Sequence, residues 1–126
     1  MFEIKPIQEK EEQKKICEAC EINFDADCLA YSAKEDGEKL LGAAQFRIFD
    51  GYGVICDLKN AIGTNDLEVL IIMGKAALKF MEFCEIGEAF IETENRNLHK
   101  ILGFEKDAGG KYRLNLEGYF DSPCEK

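Results

Sequence analysis

EAFIETENRNLHKILGFEKD, residues Glu88–Asp107, packs three structural elements into one short run. Ala89, Phe90 and Ile91 are apolar and bounded by charge, the pattern of a short buried strand. Thr93 is placed to N-cap a helix in which Leu98, Ile101 and Leu102 share one face, and Gly103 ends that helix. Phe104 then opens another strand, Phe104–Asp107. Strand, short amphipathic helix, strand: the rest of the chain is read outward from this unit.

Upstream, Phe2–Ile7 alternates apolar and charged residues as a first strand, closed by Pro6. A helix from Gln8 to Ile22 follows. Cys28–Ala33 reads as a second strand, Asp36-Gly37 as a hairpin turn, Lys39–Phe49 as a third strand, Asp50-Gly51 as another turn and Tyr52–Lys59 as a fourth strand. Two such turns in succession make an antiparallel meander. After the loop Ala61–Asn65, the stretch Asp66–Cys84 places Leu67, Leu70, Ile71, Gly74, Ala77, Leu78 and Met81 at helical spacing, with further apolar residues between, so a long buried helix is expected. It joins the fourth strand to Ala89–Ile91, and a strand-helix-strand crossover of this length makes those strands parallel neighbours. Downstream, Phe104–Asp107 and Lys111–Leu116 turn at Gly109-Gly110, with Tyr112, Leu114 and Leu116 directed to one face. The tail Gly118–Lys126 has no clear pattern. The expected fold class is α/β of the α+β kind, one domain over 1–126 with a mixed, mostly antiparallel sheet flanked by helices.

With 126 residues and 46% hydrophobic residues the chain can bury one ordinary core. Twenty-five acidic against 16 basic residues give a net charge of −9, which opposes nucleic acid and anionic membrane partners. The start, MFEIKPIQEKEEQ, is too charged for a signal peptide, and the longest apolar stretch, Val69–Gly74, is too short to span a membrane. A cytoplasmic location is expected, and reduced thiols with it. Of the 6 cysteines, at 17, 20, 28, 56, 84 and 124, Cys17 and Cys20 form a CxxC on the apolar face of the first helix. Core packing is the favoured reading and no metal ligand is assigned; a metal or redox centre on Cys17, Cys20 and Cys28 is the weaker rival.

The segment LHKILGF, Leu98–Phe104, resembles the "LYEKLGF" segment near the C-terminus of the GNAT superfamily, the N-acetyltransferases that use acetyl-CoA. The order of elements is similar to the family's fold over nearly the whole chain, apart from a shortened first helical region. The resemblance implies that the fourth and fifth strands splay apart around acetyl-CoA. Leu58, Lys59 and Asn60 would hydrogen-bond the pantetheine as an extra strand, and amides of Leu67, Glu68, Val69 and Leu70 would hold the pyrophosphate at the N-terminus of the long helix, where orphan N–H groups and the dipole favour an anion. It also implies two catalytic candidates. His99 stands where the family often carries a Tyr that acts as general acid for the CoA thiolate, and Asp57 lies where some members carry a general base for the amine.

The chain departs from the family at the phosphate loop, whose form is Arg/Gln-x-x-Gly-x-Gly/Ala. An ungapped alignment on GKAALKF, Gly74–Phe80, puts Asn65–Leu70 there, with neither glycine nor the basic residue, and with Asp66 and Glu68 where phosphates would lie. A like-charge contact near 4 Å costs about 1 to 4 kcal/mol. Two readings stand: Asp66 is an N-cap and Glu68 a first-turn acid, or acetyl-CoA still binds through main-chain amides with Gly63 or Lys59 compensating. The expected function is accordingly transfer of an acetyl group from acetyl-CoA to a small-molecule or peptide amine, and the alternative is a non-catalytic GNAT-like module that has lost CoA binding. Self-association into a homodimer through an apolar strand edge is the remaining partner expectation.

Overall fold

The computed structural model describes residues 1–120; residues 121–126, Cys124 among them, lie outside the description. The elements in chain order are β1 Phe2–Pro6, α1 Lys10–Ala19, β2 Leu29–Glu35, β3 Lys39–Ile48, β4 Gly53–Asn60, α2 Leu67–Phe83, β5 Glu88–Ile91, α3 Arg96–Leu102, β6 Glu105–Lys106 and β7 Tyr112–Asn115. They build one seven-stranded sheet in the order β1-β2-β3-β4-β5-β7-β6. Every neighbouring pair is antiparallel except β4 and β5, the pair joined by the α2 crossover. The Asp36-Gly37 turn has both residues at positive φ, 53° and 77°, as its tight two-residue geometry requires.

Alternation along the strands divides the core. Ala44, Phe46, Ile55, Leu58, Ala89 and Ile91 face α2, whose Val69, Leu70, Met73, Ala77, Leu78 and Met81 are buried against them. Ala43 faces the other side, where Ile16, Cys17, Cys20, Ile22 and Ala61 form a smaller core under α1. Asp66 caps α2, its Oδ1 accepting from the Val69 N–H at 3.3 Å. Leu67, expected on the buried face, is exposed as the first helical residue after the Asp66 cap; Met73 and Val69 take interior positions instead.

All three helices end the same way. A residue just past each C-cap reaches back five residues: Ile22 N–H to Cys17 C=O, Ile86 N–H to Met81 C=O and Phe104 N–H to His99 C=O, at 2.8, 2.9 and 2.9 Å. Glu21, Glu85 and Gly103 turn left-handed to allow it, and Ile22, Ile86 and Phe104 are tucked into the core. This closure explains two corrections. The first helix is Lys10–Ala19 rather than Gln8–Ile22, and the strand expected over Phe104–Asp107 shrinks to Glu105–Lys106 because Phe104 belongs to the helix end. In α3 the N-cap is Asn95, whose Oδ1 accepts from the Leu98 N–H, not Thr93. Ile101 is 43% exposed, so the buried face is Leu98, His99 and Leu102.

Where the backbone demands one conformation, substitutions carry opposite signs. A Cβ on Gly42 would stand 2.7 Å from the Lys59 carbonyl oxygen, a main-chain atom, so Gly42→Ala should push β3 from β4 and destabilise by about 2 kcal/mol. Glu85 has φ 64°, so Glu85→Gly should stabilise by about 0.5 to 1 kcal/mol. Urea unfolding of both variants reads the two signs.

Candidate active site

β4 meets β5 through only three register pairs, Gly53 with Ala89, Val54 with Phe90 and Ile55 with Ile91, and the last bond between them runs from the Glu92 N–H to the Ile55 C=O at 2.9 Å. On its other side β4 continues beside β3 to Asn60. There Gln45 pairs with Asp57 and Phe46 with Ile55, so Cys56 is the extra residue of a bulge. Beyond Ile55 the edge of β4 that faced β5 has no strand partner among the described residues. The Ala61 N–H bonds the Leu41 C=O; antiparallel alternation turns the main-chain groups of Lys59 and Asp57 toward β3 as well, and those of Leu58 and Asn60 toward the open edge.

An open cleft of about 1130 Å³ lies where the two strands part. It runs from Cys56, Glu92, Thr93 and His99 along Val54 and Phe90 to Phe49 and Tyr52 at the β3–β4 hairpin, on the sheet face opposite α2. His99 is 2% exposed. Its Nε2 and the Thr93 Oγ1 are 3.0 Å apart, its ring lies 4.5 Å from that of Tyr112, and its Nδ1 is buried without a hydrogen-bond partner among the described residues. Burial pushes the imidazole pKa below its ordinary 6.5; the Arg96 charge adds to this, and the bond to Thr93 works against it. Burial thus favours the neutral form of the ring.

Asp57 is close to the cleft but does not line it; the bulge gives that position to Cys56. The Asp57 carboxylate accepts from Gln45 Nε2 at 2.9 Å, inside a network that sequence reading did not single out. Gln45 and Gln13 are both fully buried. Gln45 Oε1 accepts from Gln13 Nε2 and from the Asp25 N–H, while its Nε2 also donates to the Asn23 C=O. Lys10 Nζ completes the set with bonds to Gln13 Oε1 and the Cys28 C=O. The available signal was a glutamine inside the apolar run LLGAAQF, since a polar side chain in a buried strand needs partners.

The residues that the resemblance assigned to the cofactor divide by role. The Leu58 side chain is core, within reach of Gly74, so only its main chain is offered to the edge. Lys59 Nζ donates to the Glu21 C=O. Asn60 staples the loop, Oδ1 accepting from the Asp66 N–H and Nδ2 donating to the Leu41 and Asp66 carbonyls. At the α2 N-terminus Leu67 and Glu68 are exposed, Val69 and Leu70 are buried, and the Val69 N–H is already taken by Asp66. Cys17 and Cys20 are core residues under α1, and burial above all pushes both thiols up to about 11. No group of three His, Cys, Asp or Glu able to hold a metal occurs among the described residues. No described helix is long and apolar enough to cross a membrane.

The overall architecture is shared with solved N-acetyltransferases. The spermidine/spermine N-acetyltransferase SpeG from Vibrio cholerae is similar at TM-score 0.74 and 9% identity, over 96% of this chain and 98% of that one. This chain has the GNAT fold. The PaiA N-acetyltransferase from Thermoplasma acidophilum, solved in complex with coenzyme A, matches at TM-score 0.69 and 14% identity over 91% of this chain and 99% of that one. An N-acetyltransferase from Staphylococcus aureus Mu50 matches at 0.66 and 15%, over 93% and 99%. No protein-family model and no curated protein matches the sequence. At these identities the likeness is one of GNAT architecture.

Because Gln45 serves α1, the 23–28 loop and β4 at once, Gln45→Leu should strand several buried polar groups and destabilise by about 3 kcal/mol. A urea midpoint within error of the wild type would show the network to be dispensable.

Proposed function

We propose that this chain transfers an acetyl group from acetyl-CoA to an amine in the cytoplasm. The observation that carries the reading is the parting of β4 from β5 beyond Ile55: it leaves the Leu58 and Asn60 main-chain groups turned away from β3, and a cleft lined by Cys56 and His99 lies where the strands separate. An edge of this kind suits the amides of a pantetheine arm as a further strand would. The GNAT fold supports the same reading, as does the CoA complex of PaiA. The phosphate end fits less well: Asp66 occupies one helix N–H, and Glu68 adds a second carboxylate. Amides of Leu67 to Leu70 would therefore hold a pyrophosphate weakly.

Attack on a thioester requires a free amine, and at neutral pH an alkyl ammonium must first lose a proton. A neutral imidazole in the cleft wall suits that task, and the imidazolium so formed is the acid that the GNAT resemblance assigns to this position. In the balanced reaction an N–C bond forms and the thioester C–S bond breaks. Of the two protons the ammonium gives up, one ends on sulfur and the other in solvent. Asp57, bonded to Gln45, would assist through the field it adds near Cys56.

Calorimetric titration with acetyl-CoA and CoA tests the reading. We expect a Kd above about 100 µM, roughly 2.7 kcal/mol weaker than a 1 µM site, and tighter binding when Asp66→Gly and Glu68→Gly are combined with Asn65→Arg. Absence of binding by both proteins would favour the second reading, a non-catalytic module, which the Asp66 cap supports. The pH profile is a further check. The His99 pKa is lowered, so a base at this position is active when neutral, and kcat/KM should fall as pH drops through a midpoint below 6.5; His99→Ala should abolish that limb. Burial sets the direction of the midpoint, with Thr93 raising it and Arg96 lowering it further.

A further inference from the structure

β1 is an edge of the sheet, separated from β4 and its cleft by β2 and β3. The Ile7 N–H bonds the Ala30 C=O at 2.9 Å and the Asp36 N–H bonds the Met1 C=O at 3.3 Å, so the odd-numbered residues of β1 turn their main-chain groups toward β2. Antiparallel alternation then turns those of Phe2, Ile4 and Pro6 outward, where no strand meets them among the described residues. Sheet edges are commonly blunted by shortness, by charge and by proline, and this one carries all three: it has 5 residues, the Lys5 side chain is 72% exposed, and Pro6 removes a donor from an outward position. Glu3 stands on the same face as Lys5, its side chain 67% exposed, with Lys34 opposite it in β2. Phe2 and Ile4 point the other way and pack against the core under α2. These devices turn away most strands but admit a copy of the same one.

We propose that two copies of this chain pair through β1, antiparallel about a twofold axis at Ile4, and so join their sheets into one. In that register each Ile4 N–H donates to the partner's Ile4 C=O, and each Phe2 N–H donates to the partner's Pro6 C=O. The donor that Pro6 lacks leaves only the Phe2 C=O to water at each end of the seam. Glu3 stands opposite the partner's Lys5, and Lys5 opposite the partner's Glu3, as non-hydrogen-bonded pairs, the kind whose side chains lie closer. Charges therefore alternate across the seam from Lys34 to Glu3 to the partner's Lys5. On the opposite face Ile4 meets the partner's Ile4, and Phe2 meets the partner's Pro6. The charges select the register: an axis at Glu3 or at Lys5 sets like charges against each other, and one at Pro6 has no donor at its centre. A net charge of −9 makes copies repel overall, which confines contact to an edge whose charges alternate locally.

Sedimentation velocity of the whole chain, from about 5 to 500 µM, reads the association. We expect a reversible monomer–dimer equilibrium whose Kd rises about tenfold or more in Lys5→Glu and in Glu3→Lys, each of which gives the seam a single sign of charge. An equimolar mixture of the two variants restores both opposite-charge pairs and should dimerise about as tightly as the wild type. Circular dichroism confirms that both variants are folded, and amide exchange at Ile4 in the wild type should slow as its concentration rises. A wild-type protein that stays monomeric over the whole range overturns the proposal, as does a dimer that both single variants leave intact. Variants that dissociate but fail to pair when mixed overturn it too.

Discussion

β4 is held on both sides at its start and on one side beyond Ile55, and the candidate site depends on that change. Three register pairs tie it to β5, after which the bulge at Cys56 turns the strand and the chain leaves β5 for the Glu92–Asn95 loop. A strand edge without a partner carries main-chain groups that seek hydrogen bonds. The cleft ends along β4 at Cys56, with His99 in its wall, and the stretch beyond leaves the Leu58 and Asn60 main-chain groups without a strand partner among the described residues.

The two faces of the sheet hold this arrangement by different means. On the α2 side the contact is apolar and close, with Gly53 under Met81 and Gly74 against Leu58 and Leu102; side chains at those glycines would stand 2.5 to 3.3 Å from their neighbours. On the α1 side the contact is polar, and Gln13, Gln45 and Lys10 satisfy one another and the carbonyls of the 23–28 loop. The apolar contact fixes distance, because overlap is repulsive in every direction. The polar one fixes orientation, because each hydrogen bond has a preferred direction. Asp57 stands at the junction of the two, one residue beyond the bulge and bonded to Gln45.

At the β4–α2 connection the same atoms serve a structural end and would oppose an anionic ligand. Asp66 and Asn60 close the β4–α2 connection, one capping Val69 and the other bonding three main-chain groups. A loop satisfied by its own side chains has less to gain from an anion than a glycine loop with free amides. This is the balance on which acetyl transfer and a purely structural GNAT module differ.

The strand and helix periods, the Asp-Gly turns and the Asp66 cap were legible in the sequence because each depends on residues a few positions apart. So was the parallel β4–β5 pair, since a crossover of that length leaves few topologies. Thr93 and Ile101 misled because two caps were available within three residues, and because the face that α3 buries is chosen by α2 and Tyr112 rather than by its own pattern. His99 could be named from the LHKILGF resemblance, but its neutrality comes from desolvation by residues far away in the chain. The Gln13–Gln45 network and the exchange of Cys56 for Asp57 at the cleft join α1, β3 and β4 across long separations. Local residue types determined the elements and their order; only packing decided which side chains meet, because burial and hydrogen-bond partners are properties of the assembled sheet.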